Sequence, residues 1–182
     1  MASAEPRPCS TRETDTRVYV ACLAAYNNGI LHGKWLDLID YGFDADCLQE
    51  AIDEVLAESP IEDAEEWAIH DYEGFACNVS ENHDLDDLCE QARLLHKHGA
   101  AYRAYLSWRG IEYASESDFD DAYSGEWNSE SDFAQNLLDD CYSQEFESDS
   151  ILARYFDLEA FTRDLFTCDY HFEDGHVFDE NC

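Results

Sequence analysis

The acidic residues of this chain are crowded into its last four fifths. Forty of the 43 Asp and Glu residues follow Trp35, where only six Lys or Arg accompany them, and the formal net charge of the whole chain is -33. Residues 1–35 carry three acids and four bases, whereas residues 36–66 carry twelve acids and no Lys or Arg. Because such self-repulsion destabilises a compact domain, a surface of this kind suggests a partner that needs negative charge.

The apolar content indicates a folded chain. Hydrophobic residues make up 45% of the 182 and aromatic residues 14%, which is more than a highly charged disordered chain contains. No run approaches the roughly 18 apolar residues of a membrane span, and residues 1–16 lack the apolar core of a signal peptide. We therefore expect a soluble, cytoplasmic protein with a flexible leader over residues 1–16. Negative charge repels nucleic acid and anionic lipid, so neither is an expected partner.

The eight cysteines occur singly, and we expect them to be free thiols. No CxxC motif and no secretion signal accompany them, so neither a zinc site nor a disulfide framework is indicated. Cys22, Cys47, Cys89 and Cys141 occupy apolar-patterned positions, where Cys behaves as a small buried hydrophobe. We expect no metal and no cofactor.

Residues 17–74 predict a small α+β domain. Apolar residues alternate over residues 18–22, and an extended run resumes at residues 33–36 after Asn and Gly, which predicts a β-hairpin. Residues 44–58 place apolar side chains on one helical stripe and acids around the other side. Residues 67–72 predict a returning strand.

The rest of the chain predicts two further domains. Residues 75–112 indicate a helical middle domain of net charge about -4 over 67–112, with one helix capped by Asp84 and ended by Gly99 and a second over 101–108. Residues 113–182 return to acidic helices, over 117–123, 129–142 and 157–166, and end in a hairpin signal around 173–175.

The acids of the first predicted helix do not stabilise it. Glu50, Glu54 and Glu58 form an i, i+4 row, and like charges at this spacing weaken a helix by roughly 0.2–0.5 kcal/mol per pair. The total charge equals that of roughly 55 Å of duplex DNA. Three interpretations stay open on charge alone: a solvating or salt-adapted surface, mimicry of DNA, and binding of another basic partner. Salt adaptation should coat every element, whereas residues 1–35 are slightly basic.

Signals for catalysis are weak. His70 and His171 lack a nucleophile-elbow glycine pattern, and neither a phosphate loop nor an HExxH motif occurs. The acids of residues 118–125 lack the order of an EF-hand loop. We expect that the protein is not an enzyme.

Three sequence blocks resemble the ArdA antirestriction proteins. They occur in the family's order and span residues 17–178. The blocks are Val18-Tyr19-Val20-Ala21-Cys22-Leu23 with Tyr26-Asn27-Asn28-Gly29 and Gly33-Lys34-Trp35; Glu66-Trp67-Ala68-Ile69-His70-Asp71-Tyr72-Glu73; and Tyr155-Phe156-Asp157-Leu158-Glu159-Ala160-Phe161-Thr162-Arg163-Asp164-Leu165. Within these blocks we expect turns at Gly29 and Gly33. We expect core positions at Trp35, Trp67 and Ile69. Arg163 is a lone cation, which we expect to pair with a nearby carboxylate.

The resemblance implies an elongated, curved α+β chain of three small domains, with a small antiparallel sheet plus helix at each end and a helical middle. It also implies a homodimer formed through the C-terminal domain and charged like bent DNA. Such proteins occupy the DNA-binding groove of type I restriction-modification enzymes, chiefly on the methyltransferase core, and block restriction and often modification. They are carried by mobile genetic elements and use no catalysis or cofactor. Residues 133–140 correspond to a family antirestriction motif.

The acids outside these blocks are the candidate partner-binding surface. In the first domain they lie on the predicted helix and just after it. In the third they follow residue 117. The candidates are Asp46, Glu50, Asp53, Glu54, Glu58, Glu62, Asp118, Asp120, Asp121, Glu126, Glu130, Asp132, Asp139, Asp140, Glu145 and Glu147. The competing interpretation is an acidic, salt-adapted globular binding protein of unrelated function.

Overall fold

A computed structural model describes residues 15–110, 115–142 and 155–181. The chain divides into two compact units, of which the first ends at Gly99 and the second begins at Ala100. In the described residues each unit combines helices with a three-stranded antiparallel sheet, which confirms the α+β class. The division falls inside the predicted helical middle domain, so the three-domain layout of residues 17–74, 75–112 and 113–182 stays a prediction.

The sheet of the first unit consists of β2 (Gly33–Asp37), β1 (Arg17–Cys22) and β3 (Trp67–Glu73), in that order. Both neighbours run antiparallel to the central strand, with Val18 opposite Leu36 on one side and opposite Tyr72 on the other. The predicted hairpin and returning strand are therefore confirmed. The elements of this unit are β1 (Arg17–Cys22), α1 (Leu23–Asn27), β2 (Gly33–Asp37), a 3-10 turn (Leu38–Tyr41), α2 (Ala45–Ala57), β3 (Trp67–Glu73) and α3 (Leu85–His98).

The connection of the hairpin contains the short helix α1, which the sequence reasoning missed. The thiol of Cys22 accepts a hydrogen bond from the backbone N–H of Ala25 and so begins this helix. Gly29 has φ +76° and turns the chain, as expected. Gly33 has a different role: a Cβ there would collide with the carbonyl oxygen of Val20 and the ring of Tyr19, so glycine permits close approach of β1 and β2.

One core joins the sheet, α2 and α3. Leu48 and Ile52 of α2 are fully buried with Val18 of β1 and Leu88 of α3. The side chain of Asp84 accepts hydrogen bonds from the backbone N–H groups of residues 86 and 87, which caps α3 as predicted. Of the three block residues expected in the core, Ile69 is buried whereas Trp35 and Trp67 are only partly buried.

Residues 1–14 lie outside the described part of the chain, and with them most of the predicted flexible leader. Thr16, its last residue, is 3% exposed. The carbonyl oxygen of Thr16 accepts a hydrogen bond from the backbone N–H of Leu38. The folded part of the first unit therefore begins before β1.

The sheet of the second unit consists of β4 (Tyr123–Glu126), β6 (His176–Asp179) and β5 (Tyr170–Glu173), in that order, and both pairs are antiparallel. The predicted terminal hairpin is confirmed as β5 and β6, whereas β4 was not predicted. The elements are α4 (Ala100–Arg109), α5 (Glu116–Ala122), β4 (Tyr123–Glu126), α6 (Glu130–Tyr142), α7 (Leu158–Cys168), β5 (Tyr170–Glu173) and β6 (His176–Asp179).

The second unit buries both faces of its central strand. Phe178 contacts the rings of Tyr105 on α4 and Phe119 on α5. Val177 packs in a separate cluster with Phe133 on α6 and Leu165 on α7. Since successive side chains of a strand point to opposite faces, α4 and α5 cover one side of the sheet and α6 and α7 cover the other.

Six cysteines in the described residues are free thiols, as expected. Cys22 and Cys89 are buried, but the expectation of burial was wrong for Cys47 and Cys141, which are exposed. Cys47 precedes the first buried residue of α2, Leu48, and Cys141 lies beyond Leu138, which is buried on α6. No helix in the described ranges is long and apolar enough to cross a membrane.

Candidate acidic surface

The five candidate acids between Asp46 and Glu58 all project into solvent. The opposite stripe of α2 is buried and consists of Leu48, Ala51, Ile52 and Val55. This division follows from the 3.6-residue period, which puts the apolar stripe on the sheet and the acids on the outer face. Glu62, in the loop after α2, is exposed as well.

Residues 50, 54 and 58 lie about 6 Å apart along the axis of α2. No Lys or Arg occurs between Lys34 and Arg93, so α2 has no basic side chain of its own. Arg17 pairs with Glu73 of β3 at 2.6 Å, and Arg93 pairs with Glu90 within α3 at 2.8 Å. Both ion pairs therefore involve other acids, and the row on α2 keeps its charge exposed to solvent.

The row also opposes the helix dipole. Glu54 and Glu58 lie at the C-terminal end of α2, where the backbone carbonyls are negative and cations are favoured. A histidine from the α1–β2 loop supplies partial compensation: the Nε2–H of His32 donates to the carbonyl oxygen of Val55 at 2.7 Å. Neither the i, i+4 spacing of these glutamates nor their position in the helix dipole gives them a stabilising role.

The first turn of α2 is fixed by Asp44, whose side chain accepts from the backbone N–H of Cys47 at 2.9 Å. This hydrogen bond lowers the pKa of Asp44, so the carboxylate stays ionised at neutral pH. The same carboxylate raises the pKa of the Cys47 thiol through a side-chain hydrogen bond. An exposed thiol thus lies inside the acidic surface in its neutral form.

Exposed acids also lie at the start of α3, outside the candidate set. Burial raises the pKa of the Cys89 thiol to about 11, and the charges of Asp44 and Asp86 add to this shift. The N-terminal turns of α2 and α3 therefore act on one buried group. Asp84, Asp86 and Asp87 are all exposed. The net charge of residues 67–112 did not indicate these acids. It also counts the four bases of that span, which all follow residue 92.

The candidate acids of the second unit do not form one surface. Asp118, Asp120 and Asp121 are exposed on α5, which packs through Phe119 on the face of the sheet that carries Phe178. The acids of α6 belong to a helix that packs through Phe133 on the other face. Those acids, all exposed, are Glu130, Asp132, Asp139 and Asp140.

The remaining candidates of this unit differ in what the structure describes. Glu126 is exposed at the end of β4, whereas Glu145 and Glu147 lie outside the described residues. Arg163 pairs with a nearby carboxylate, as expected. Its Nε atom lies 3.6 Å from Oδ1 of Asp164, and both side chains are about three quarters exposed. Residues 133–140 form the middle of α6, where pairs of buried or partly buried apolar side chains alternate with pairs of exposed polar ones.

The two histidines considered for catalysis contact aromatic rings, and His171 also lies beside a carboxylate. His70 lies against the ring of Tyr26 at 4.8 Å, in a cavity lined by Leu23, Asn27, Ile69, Tyr72, Val79 and Glu81. His171 stacks on Trp108 and lies 3.4 Å from Glu173. The other oxygen of the Glu173 carboxylate accepts a hydrogen bond from the hydroxyl of Ser107 at 3.0 Å, so Ser107 is bonded to the carboxylate and not to the imidazole.

Comparison with known proteins matches the chain to a protein family. The family model described as "ArdA: Antirestriction protein (ArdA)" matches residues 18–178, a span that runs from β1 into β6 and includes both units. No curated protein matches the chain.

Proposed function

Because the chain belongs to the ArdA family of antirestriction proteins, we propose that it inhibits type I restriction-modification enzymes by occupying their DNA-binding groove as a DNA mimic. The family implies interaction with restriction-modification enzymes, and its members are non-catalytic inhibitors. The type I target and the mimicry are the parts that this proposal adds.

Exposure of the candidate carboxylates is the observation that supports mimicry most directly. All fourteen candidates in the described residues are exposed. The row on α2 spaces its charges by about 6 Å, against about 3.4 Å per phosphate along one DNA strand. A groove lined with Lys and Arg therefore meets roughly one carboxylate for every two phosphates, and counterion release favours the exchange.

The proposed target surface is the methyltransferase core, where specificity and modification subunits hold DNA. Occupation of that core blocks restriction and modification together, because both reactions need the same bound duplex. Dimerisation through residues 113–182 would join two copies into a longer charged body. The protein would act in the cytoplasm of the cell that receives a mobile genetic element, where the restriction enzyme meets incoming DNA.

A direct competition experiment tests the proposal. Fluorescence anisotropy follows a labelled duplex bound to a purified type I methyltransferase at low salt. The protein should displace the duplex, and its apparent affinity should fall as salt rises. A polyglutamate of matched net charge is the control, because it supplies charge without a fixed surface. Unchanged DNA binding in excess protein, or equal displacement by polyglutamate, would exclude the mimic.

Salt adaptation is the second candidate, and one observation favours it. The acids at the start of α3 are exposed, like those of α2. Exposed acids in the described residues therefore extend beyond the candidate surface. A salt-adapted protein requires molar salt to fold, whereas a mimic folds without it and loses only its partner as salt rises. Circular dichroism at low and at molar salt separates the two.

A further inference from the structure

A cavity of about 510 Å³ opens to solvent beside the acidic surface of the first unit. Its walls come from the start of α1, the start of β3 and the loop before α3. Backbone hydrogen bonds fix these segments: Leu23 N–H donates to the carbonyl oxygen of Glu66, and Ile69 N–H donates to that of Glu81. The lining residues are Leu23, Glu65, Glu66, Trp67, Asn82 and His83.

The polar groups of this cavity suit a cationic hydrogen-bond donor. Glu65 and Glu66 bring two exposed carboxylates, which accept hydrogen bonds only. The Nε2 atom of His83 is buried and has no hydrogen-bond partner in the described part of the chain. A buried polar atom without a partner is costly, and the broad χ2 torsion of histidine allows the ring to turn toward a donor that enters.

Trp67 makes arginine a better occupant than lysine. Its indole is partly buried, which holds the ring in place against the core. A planar guanidinium stacks on an aromatic face and donates through two parallel N–H groups to a carboxylate, whereas an ammonium is a compact, strongly hydrated point charge. The cavity thus combines an aromatic side chain with two carboxylates, and a turn of the His83 ring in its Nδ1–H tautomer would bring in a nitrogen acceptor.

We propose that this cavity binds an arginine side chain of the partner protein and anchors the first unit on it. This inference rests on the proposed function, since a cationic groove is what presents arginines to an acidic surface. It adds a defined pocket to the diffuse attraction between charges. The carboxylates fix the guanidinium, Trp67 stacks on it, and His83 Nε2 accepts one further N–H.

The test uses the isolated protein and two small probes. N-acetyl-arginine methylamide is titrated while NMR follows the indole N–H of Trp67 and the ring protons of His83. N-acetyl-lysine methylamide, of equal charge, is the matched probe. The variant E65Q/E66Q removes the two lining carboxylates, and E58Q/E62Q is its control, because it removes the same charge from exposed positions outside the cavity.

The arginine probe should give saturable shifts at both side chains and bind at least about threefold more tightly than the lysine probe. E65Q/E66Q should weaken it about tenfold, with less than about twofold loss in the control. Equal response to the two probes, equal loss in the two variants, or no saturable shift would each overturn the pocket. Because no methyltransferase is present, such a failure leaves the competition experiment unaffected.

Discussion

Val177 and Phe178 are neighbours in the chain, yet their side chains belong to separate cores on opposite faces of one sheet. Phe178 contacts Phe119 of α5, whereas Val177 packs with Phe133 of α6. The central strand β6 therefore holds two helical layers together. The two groups of candidate acids in the second unit sit on those two layers.

Truncating these two side chains should loosen different layers. F178A should lower the free energy of unfolding by about 3–5 kcal/mol, and V177A by about 1–3 kcal/mol, because each leaves a cavity in a close-packed core. Hydrogen exchange should rise mainly in α4 and α5 for F178A and mainly in α6 and α7 for V177A. The same pattern of faster exchange in both variants would contradict the division into two cores.

Neutralising the acids of the two layers should have additive effects on inhibition. D118N/D120N/D121N changes α5, and E130Q/D132N/D139N changes α6 by the same charge. Sites on opposite faces share no partners, so the combined loss of binding energy should equal the sum of the two within about 0.5 kcal/mol. Competition with labelled DNA on the methyltransferase measures each loss. Strong non-additivity would mean that both layers meet a single cluster of cations.

The row on α2 should lower the stability of the protein and strengthen its inhibition of the enzyme. E50Q/E54Q/E58Q removes like-charge pairs and the conflict with the helix dipole, so the free energy of unfolding in urea should rise by about 0.5–1 kcal/mol. Inhibition should weaken about 10–100-fold, through the loss of contacts with charged groups of the enzyme. D40N/D71N/E81Q removes the same charge from exposed positions of the first unit outside the candidate surface. An equal loss of inhibition in that control would show that only net charge matters.

Thiol reactivity should report the field around the start of α2. Cys47 and Cys168 are both exposed, but the hydrogen bond to Asp44 raises the pKa of Cys47 and disfavours its reactive thiolate. Iodoacetamide at pH 8, read by peptide mass spectrometry, should therefore modify Cys47 more slowly than Cys168. D44N should accelerate Cys47 and leave Cys168 unchanged. A Cys47 rate that does not respond to D44N would remove Asp44 as the cause.

Cys89 should make the protein less stable in alkali. Burial raises its pKa to about 11 in the folded state, against about 8.5 in an unfolded chain. Its contribution is fully present below pH about 8.5. Between the two pKa values the unfolded state loses its proton first, so the free energy of unfolding falls as pH rises through this window. C89A should show a shallower fall over that range, whatever its stability at pH 7, and an identical slope would contradict the assignment.

Local sequence signals predicted the helices well where apolar spacing and a cap agree. Residues 44–58 gave α2, which runs from Ala45 to Ala57 with Asp44 as its N-cap. Asp84 and Gly99 bounded α3 correctly. In each case the signal is contained in one short segment, so no distant residue was needed to interpret it.

Two of the missed features, β4 and the division of the candidate acids, depend on distant partners. β4 is four residues long and contains Gly125 at φ +104°, which is a poor strand signal. It forms because Tyr123 pairs with Phe178, 55 positions away. The division of the candidate acids between two faces has the same origin, since only the packing of α5 and α6 on the sheet separates them. Grouping Asp118 to Glu147 by sequence alone could not reveal this.

The C-terminal end of α2 is electrostatically incomplete in the isolated protein. Its last turn carries Glu54 and Glu58 and no basic residue, with the His32 hydrogen bond as partial compensation. A cationic surface that docks there supplies the missing counter-charge to glutamates and backbone carbonyls alike. By linkage, such a partner makes this helix harder to open. Slower amide exchange at the end of α2 would therefore be a signature of capture, visible even when the partner itself is unlabelled.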